Sequence, residues 1–393
     1  MKDTRISILW IFDQPLIPEA GGTERVSSLI IHGLTTAGYN CFGHLVIKES
    51  TDICYYNTEP ISDLYRFLKD NDIQVIVNQK AQDPSFLRHF LRLGGAEWKK
   101  EGGKIISCLH FNPQPIAEYY DIVFFQHSLL KKAYHLLLLK LFPRHHERKQ
   151  KKHLAQQFLD VYNNSDAFVV LTQTHRRYIE DVIGARQHCD SIHVIPNPLS
   201  FTHPCSNEEL DKKANIALFV GRMDEYYKRV SIILKAWKYL EESHGLIGWE
   251  LHLVGDGPYL NKYKEYCYNN RIKGVHFHGR AVPEKHYQSA KVFLMTSISE
   301  GLPMTILESF QYGVVPIVID SCPVFSEIIN DGIDGVLCHS DDPKQFAETI
   351  YKVIENNNGI KKMAENAIIS ANNYRPDNII KLWCSLINVV LNK

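Results

Sequence analysis

A chain of 393 residues exceeds one ordinary hydrophobic core and suits two domains of roughly 150 to 200 residues. Lys plus Arg number 44 and Asp plus Glu number 44, which removes any global electrostatic case for binding nucleic acid. Hydrophobic residues at 45% and charged residues at 22% supply apolar material for two cores.

Read from its start, the chain offers an apolar run at 6–12 that Asp13 ends at once, too short for a signal-peptide core or a membrane span. A cytoplasmic protein is the expectation. Next come a helix from about Thr23, then "FGHLVI", "IQVIVNQ", "KIISCLHF" and "AFVVLT". Apolar runs without strict alternation suit parallel strands buried on both faces, with helices as crossovers, so the first half reads as doubly wound α/β. Residues 194–215, rich in Pro, Asn, Ser and charge, read as a connection. The pattern restarts with "IALFVGR", "WELHLVGDG", "VHFHG", "VFLMTS", "VPIVI" and "GVLC". In the helix after "IALFVGR", Val230, Ile233, Leu234, Trp237 and Leu240 share one face. The division is therefore 1–195, a linker 196–214, 215–375, and a terminal amphipathic helix over 376–393 that can pack back on the first domain. No repeat of solenoid length is visible. The nine cysteines are scattered, none in a CxxC spacing, and read as reduced core thiols. Two Rossmann-like halves leave a cleft at the carboxyl ends of their sheets.

Three stretches could carry chemistry there. In "FVGRMDEYYKR", Arg222 and Lys228 follow a strand end; a planar fork and a point charge suit a diphosphate, although both could be solvated loop charges. In "PEAGGTERV", Gly21 and Gly22 leave helix-start amides open to phosphate, although Gly-Gly is also an ordinary turn. In "SISEGLPMTILESFQYG", a turn separates strand from helix. Glu300 lies at the strand's end, the amides of Gly301, Leu302, Pro303, Met304 and Thr305 mark the helix start, Pro303 itself lacking an N–H, and Ile306, Leu307 and Phe310 form the buried stripe. Thr305 and Glu308 then occupy another face. A sugar nucleotide would find a carboxylate for sugar hydroxyls, amides for phosphate and a second carboxylate for the ribose diol. The bland alternative is a first helical turn decorated with acids. Residues 129–154 carry Lys131, Lys132, Lys140, Arg144, Arg148, Lys149, Lys151 and Lys152 against Glu147. They read either as a segment lying on an anionic membrane surface or as a core helix with a solvated charge run.

The sequence resembles the retaining glycosyltransferases of the GT-B fold, family 4 (glycosyl transferases group 1). Their E-x7-E signature is matched by Glu300 and Glu308, and "GGTERV", "NNSDAFVVLTQTHRRYI", "IHVIPNP", "LFVGRMDEYYKR" and "LHLVGDGP" follow in the family's order. The resemblance implies two Rossmann-like domains facing across a cleft and transfer of a sugar, UDP-linked by expectation, to a glycan or lipid-linked glycan, as in cell-surface polysaccharide synthesis. It implies Arg222 and Lys228 on the donor diphosphate, Glu300 on the transferred sugar, Glu308 on the ribose, Gly22 near the phosphate and His110 near the sugar. One departure stands out: Arg229 follows the lysine where the family more often has Gly. Cations and amides would carry the leaving group, so neither metal nor cofactor is expected; the DxD-like triplet Asp70-Asn71-Asp72 reads as a turn. A GT-B-fold sugar-nucleotide epimerase or hydrolase, or a non-catalytic sugar-nucleotide-binding subunit, would carry similar residues. No nucleic-acid partner is expected. A place on the inner face of the plasma membrane would follow if residues 129–154 touch it.

Overall fold

The computed structural model describes residues 5–18, 21–48, 53–114, 143–184, 190–201, 205–246 and 248–392. Two compact units emerge: Met1–Pro198 with Pro376–Lys393, and Leu199–Arg375.

In the first unit, β1 (Ser7–Phe12), β2 (Asn40–Lys48), β3 (Ile53–Tyr56), β4 (Glu59–Ile61), β5 (Ile73–Asn78), β6 (Lys104–Cys108), β7 (Ala167–Val170) and β8 (Ile192–Val194) form an eight-stranded sheet. Its order is β4-β3-β2-β1-β5-β6-β7-β8. The strands from β2 across to β8 run parallel, as buried apolar runs joined by helical crossovers must. Every residue of β1 is buried. Leu9, Ile76, Phe86, Phe90, Trp98, Phe158 and Phe168 anchor one core cluster. An antiparallel hairpin, β3 and β4, extends the edge beyond β2. Its turn residues Asn57 and Thr58 adopt φ of 48° and 70°, the left-handed pair that tight hairpins need.

The second unit holds β9 (Ile216–Val220), β10 (Glu250–Val254), β11 (Val275–Gly279), β12 (Val292–Met295), β13 (Val315–Ile319) and β14 (Val336–Cys338). All pairings are parallel, in the order β11-β10-β9-β12-β13-β14. The helix Val230–His244 buries Val230, Ile233, Leu234, Ala236, Trp237 and Leu240, the stripe its periodicity requires. The described cysteines are free, and Cys54, Cys108, Cys205, Cys267, Cys322 and Cys338 are buried.

One assignment differs from the sequence reading. Residues 205–214, read as linker, are integral to the second unit. Ser206 and Glu209 form a reciprocal capping box on the helix Asn207–Leu210, and the Cys205 amide donates to the Gln311 carbonyl at 3.1 Å. Buried Lys213 donates through Nζ to the carbonyls of Tyr287 at 2.7 Å and Ala290 at 3.0 Å, tying off the end of the helix Glu284–Ser289. The polar composition that suggests slack here supplies caps. The terminal helix Pro376–Leu391 belongs to the first unit, where a Cβ on Gly33 of the helix Gly22–Thr36 would lie 2.5 Å from Ile380 Cδ1. Where the chain enters and leaves the second unit, the Leu199 amide donates to the Tyr374 carbonyl at 2.8 Å.

Candidate active site

In each parallel sheet the strand order reverses direction at one point, and ligands of this architecture settle outside the carboxyl ends there. In the second unit that point lies between β9 and β12. Both motif loops leave the sheet at it: the β9 loop with Arg222 and Lys228, the β12 loop with Glu300.

Local chemistry folds the β9 loop. Asp224 Oδ1 accepts from the Tyr226 amide at 2.8 Å and the Tyr227 amide at 3.0 Å, turning the chain back toward the sheet. Thr296 Oγ1 donates to the carbonyls of Lys228 at 2.7 Å and Arg229 at 3.1 Å, and the Ile298 amide donates to Tyr227 O at 2.9 Å. These bonds staple the two motif loops together. The result is an ion pair between Lys228 Nζ and Glu300 Oε1, both largely buried. Arg222 is its open counterpart, 70% exposed and 3.9 Å from Asp224.

Two further features shape this edge. Gly255, at φ 138°, follows β10, and a Cβ there would stand 1.8 Å from Gly221 O, so only glycine lets the β10 loop lie against the β9 loop. Arg229 adopts φ 48°, ψ 44°, a left-handed conformation that accounts for glycine suiting this position. Its guanidinium instead spans to Thr296 O, 2.8 Å from Nε, and to Asp341 at 3.6 Å.

The helix Met304–Gln311 begins at Pro303 without a side-chain cap. Its first bonded amides are Ile306 and Leu307, both donating to Pro303 O. Among the described residues the amides of Gly301, Leu302, Met304 and Thr305 have no protein acceptor, which leaves an anion-ready helix start beside the Lys228–Glu300 pair. Glu308 departs from expectation. The stripe of Ile306, Leu307 and Phe310 puts it on another face than the buried one, yet it too is buried, 1% exposed. The helix is covered on its other side as well, and Glu308 Oε2 accepts from the Tyr287 hydroxyl at 3.1 Å.

In the first unit the reversal falls between β1 and β5, and Lys80 Nζ bridges it to Asp13 Oδ2 at 2.6 Å. Gly21 caps the helix Gly22–Thr36 with extended backbone, and the Glu24 carboxylate folds over it. A Cβ on Gly22 would meet nothing, so no packing demand inside the chain accounts for glycine there. His110 follows β6, and its Nε2 hydrogen-bonds Gln79 Oε1. Burial lowers its pKa to about 4, so the ring is neutral at physiological pH.

Asp70 ends the helix Leu64–Asp70, Asn71 caps it and Asp72 turns at φ 51°. Of the basic segment, 129–142 lies outside the described residues and 143–154 begins the helix Pro143–Asn164. Among the described residues no helix is long and apolar enough to cross a membrane. Sequence reasoning missed Lys213 and Tyr287, which lie outside the motifs; a tyrosine and a lysine carry no signal until the fold brings them to the helix beside Glu308.

Residues 206–370 match the family described as Glycosyl transferases group 1. The chain is 29% identical over 235 residues to the amylovoran biosynthesis glycosyltransferase AmsD of Erwinia amylovora, covering 58% of this chain and 63% of that protein. It is 28% identical over 232 residues to the GalNAc-alpha-(1->4)-GalNAc-alpha-(1->3)-diNAcBac-PP-undecaprenol alpha-1,4-N-acetyl-D-galactosaminyltransferase of Campylobacter jejuni, covering 59% and 62%. The chain thus spans under two thirds of the length of each relative. The structure of Anabaena HepE with UDP and glucose superposes with a TM-score of 0.68 at 14% identity, over 98% of this chain and 100% of that one. The fold is GT-B.

Proposed function

We propose that the chain is a retaining, metal-independent glycosyltransferase of family 4, moving a hexosyl group from a UDP-sugar to a glycan or lipid-linked glycan in cell-surface polysaccharide synthesis. One observation carries this reading: the Lys228–Glu300 pair at the strand-order reversal, beside the open amides of a helix start. The group 1 match over 206–370 and the polysaccharide and lipid-linked-glycan relatives support it.

In this mechanism donor binding exchanges the internal ion pair for external contacts. Lys228 and Arg222 turn to the diphosphate with the amides of Gly301, Leu302, Met304 and Thr305, and Glu300 receives the hydroxyls of the transferred sugar. As the sugar–phosphate bond breaks, negative charge gathers on the diphosphate, where these donors stabilise it without a metal ion. The leaving phosphate oxygen takes the acceptor's proton on the face it departs from, which retains configuration. A carboxylate has about four lone-pair sites, so Glu308 has acceptor capacity for the ribose diol besides the Tyr287 hydroxyl, but its burial requires its cover to open as the donor enters. In the first unit Gly22 leaves room for phosphate at its helix start, whereas the Glu24 carboxylate over Gly21 must swing aside before Gly21 can contribute. Neutral His110 offers a hydrogen bond near the sugar without adding positive charge beside an oxocarbenium-like centre.

The reaction would run at the inner face of the plasma membrane, to which the cations of 129–154 add about 1 kcal/mol each near an anionic surface. The test is a thermal-shift screen with UDP, GDP, ADP and CDP in EDTA. Turnover of the matching sugar donors onto membrane-extracted lipid-linked glycans follows, with the product's anomeric configuration read by NMR. A shift with the UDP series and an α-linked product from an α-linked donor are expected. An inverted product, or turnover only with added divalent cation, would refute the mechanism, and cosedimentation with anionic vesicles checks the membrane reading.

A further inference from the structure

On the β11 edge of the second sheet, the strand register sets His252 of β10 directly against His276 of β11, and the two-residue period puts Glu250 on the face of His252; His278 sits at a break in the register, its ring 4.8 Å from that of His252. The helix Glu284–Ser289 adds His286. His252, His278 and His286 each offer one ligand atom, and these atoms lie within 4.8 Å of one another; Glu250, His252 and His276 make an overlapping set.

Two of the three ring separations fit a shared ion, and the third, His252–His286, is longer than tetrahedral ligation gives. With metal–nitrogen bonds of about 2.0–2.1 Å and tetrahedral angles, imidazoles on one zinc have centroids roughly 5 Å apart. The observed separations are 4.8 Å for His252–His278, 4.4 Å for His278–His286 and 6.3 Å for His252–His286. Glu250 Oε2 hydrogen-bonds His252 Nε2 at 3.1 Å and sits 3.6 Å from His276 Nε2, the carboxylate-to-imidazole contact that orients metal ligands.

We propose that His252, His278 and His286 form a zinc-class transition-metal site that pins the helix Glu284–Ser289 to the edge of the sheet, with Glu250 orienting His252. Three imidazoles with a carboxylate partner suit a borderline dication such as Zn²⁺ and not Mg²⁺ or Ca²⁺. The site shares no residue with the proposed donor set, and sugar transfer does not run through the ion. It bears on that set only by position: Tyr287, next to His286, donates to Glu308.

The experiment uses full-length, tag-free protein stripped with EDTA, with no sugar nucleotide present. Zn²⁺ is titrated by calorimetry and Co²⁺ by visible absorption. We expect one equivalent per chain, an intense visible Co²⁺ spectrum of low-coordinate type displaced by Zn²⁺, and a raised thermal midpoint. His278→Ala, at an exposed position, and His286→Gln should each weaken binding by more than tenfold, and Glu250→Gln by about tenfold. His339→Ala, away from the cluster, should change nothing. No saturable binding, or binding undiminished in both His278→Ala and His286→Gln, would overturn the assignment.

Discussion

Lys228 and Glu300 satisfy one another in this structure, and under the proposed reaction each must leave its partner for the donor. Lys228→Ala and Glu300→Gln should each lower kcat/KM by about 10² to 10³, the loss typical of one preorganised charge-stabilising group, with thermal midpoints near wild type. Rates within a few-fold of wild type in both would remove the pair from the chemistry. Arg229 makes a different case, because its left-handed backbone favours glycine while its guanidinium bonds Thr296 O. Arg229→Ala loses the bond and keeps the strain, so it should be less stable than Arg229→Gly by about 1 kcal/mol in urea denaturation. His110 titrates near 4 when folded against 6.5 when free. The unfolded chain therefore binds more protons between those values, and stability falls as pH drops from 6.5 toward 4. His110→Asn should lose less stability than wild type between pH 7 and 4.5; equal losses would dissociate His110 from the effect.

Strands and helices were legible to different depths. Parallel strands announce themselves as apolar runs, and the stripe in Val230–His244 is complete in sequence. The β3–β4 hairpin is not, because Asn57-Thr58 lacks the glycine that usually marks such a turn. Glu308 shows the limit of a helical stripe: periodicity locates the most buried face but cannot tell that the opposite face is covered too. The His252 cluster is invisible for another reason. Its members come from two strands and a helix, and only the register that sets His252 against His276 assembles them. At Gly255 the loop-on-loop contact leaves no volume, so Gly255→Ala should cost about 3 kcal/mol or more and raise the KM of the donor by displacing the Arg222 loop. An unchanged urea midpoint would show that the loops separate freely.

At the scale of the whole molecule, composition alone called for two cores and sheet patterning gave their class, whereas the boundaries came out differently because capping residues resemble linker residues. The terminal helix buries Ile379, Trp383, Leu386, Ile387 and Val390. Each such apolar side chain is worth about 1.5 to 3 kcal/mol, so a chain ending at Arg375 should lose its first-unit near-ultraviolet dichroism well before the second unit melts. A single unchanged transition would mean that the helix contributes nothing to the first unit.

That helix also sets a timetable. The ribosome delivers residues 199–375 complete, able to join their entry and exit segments by the Leu199–Tyr374 bond, before any of Pro376–Leu391 emerges. The unit begun earlier in translation is finished later. A nascent first unit therefore waits, at roughly 5 to 20 residues per second, for about ten to forty seconds with the hydrophobic face of its Gly22–Thr36 helix open to chaperones.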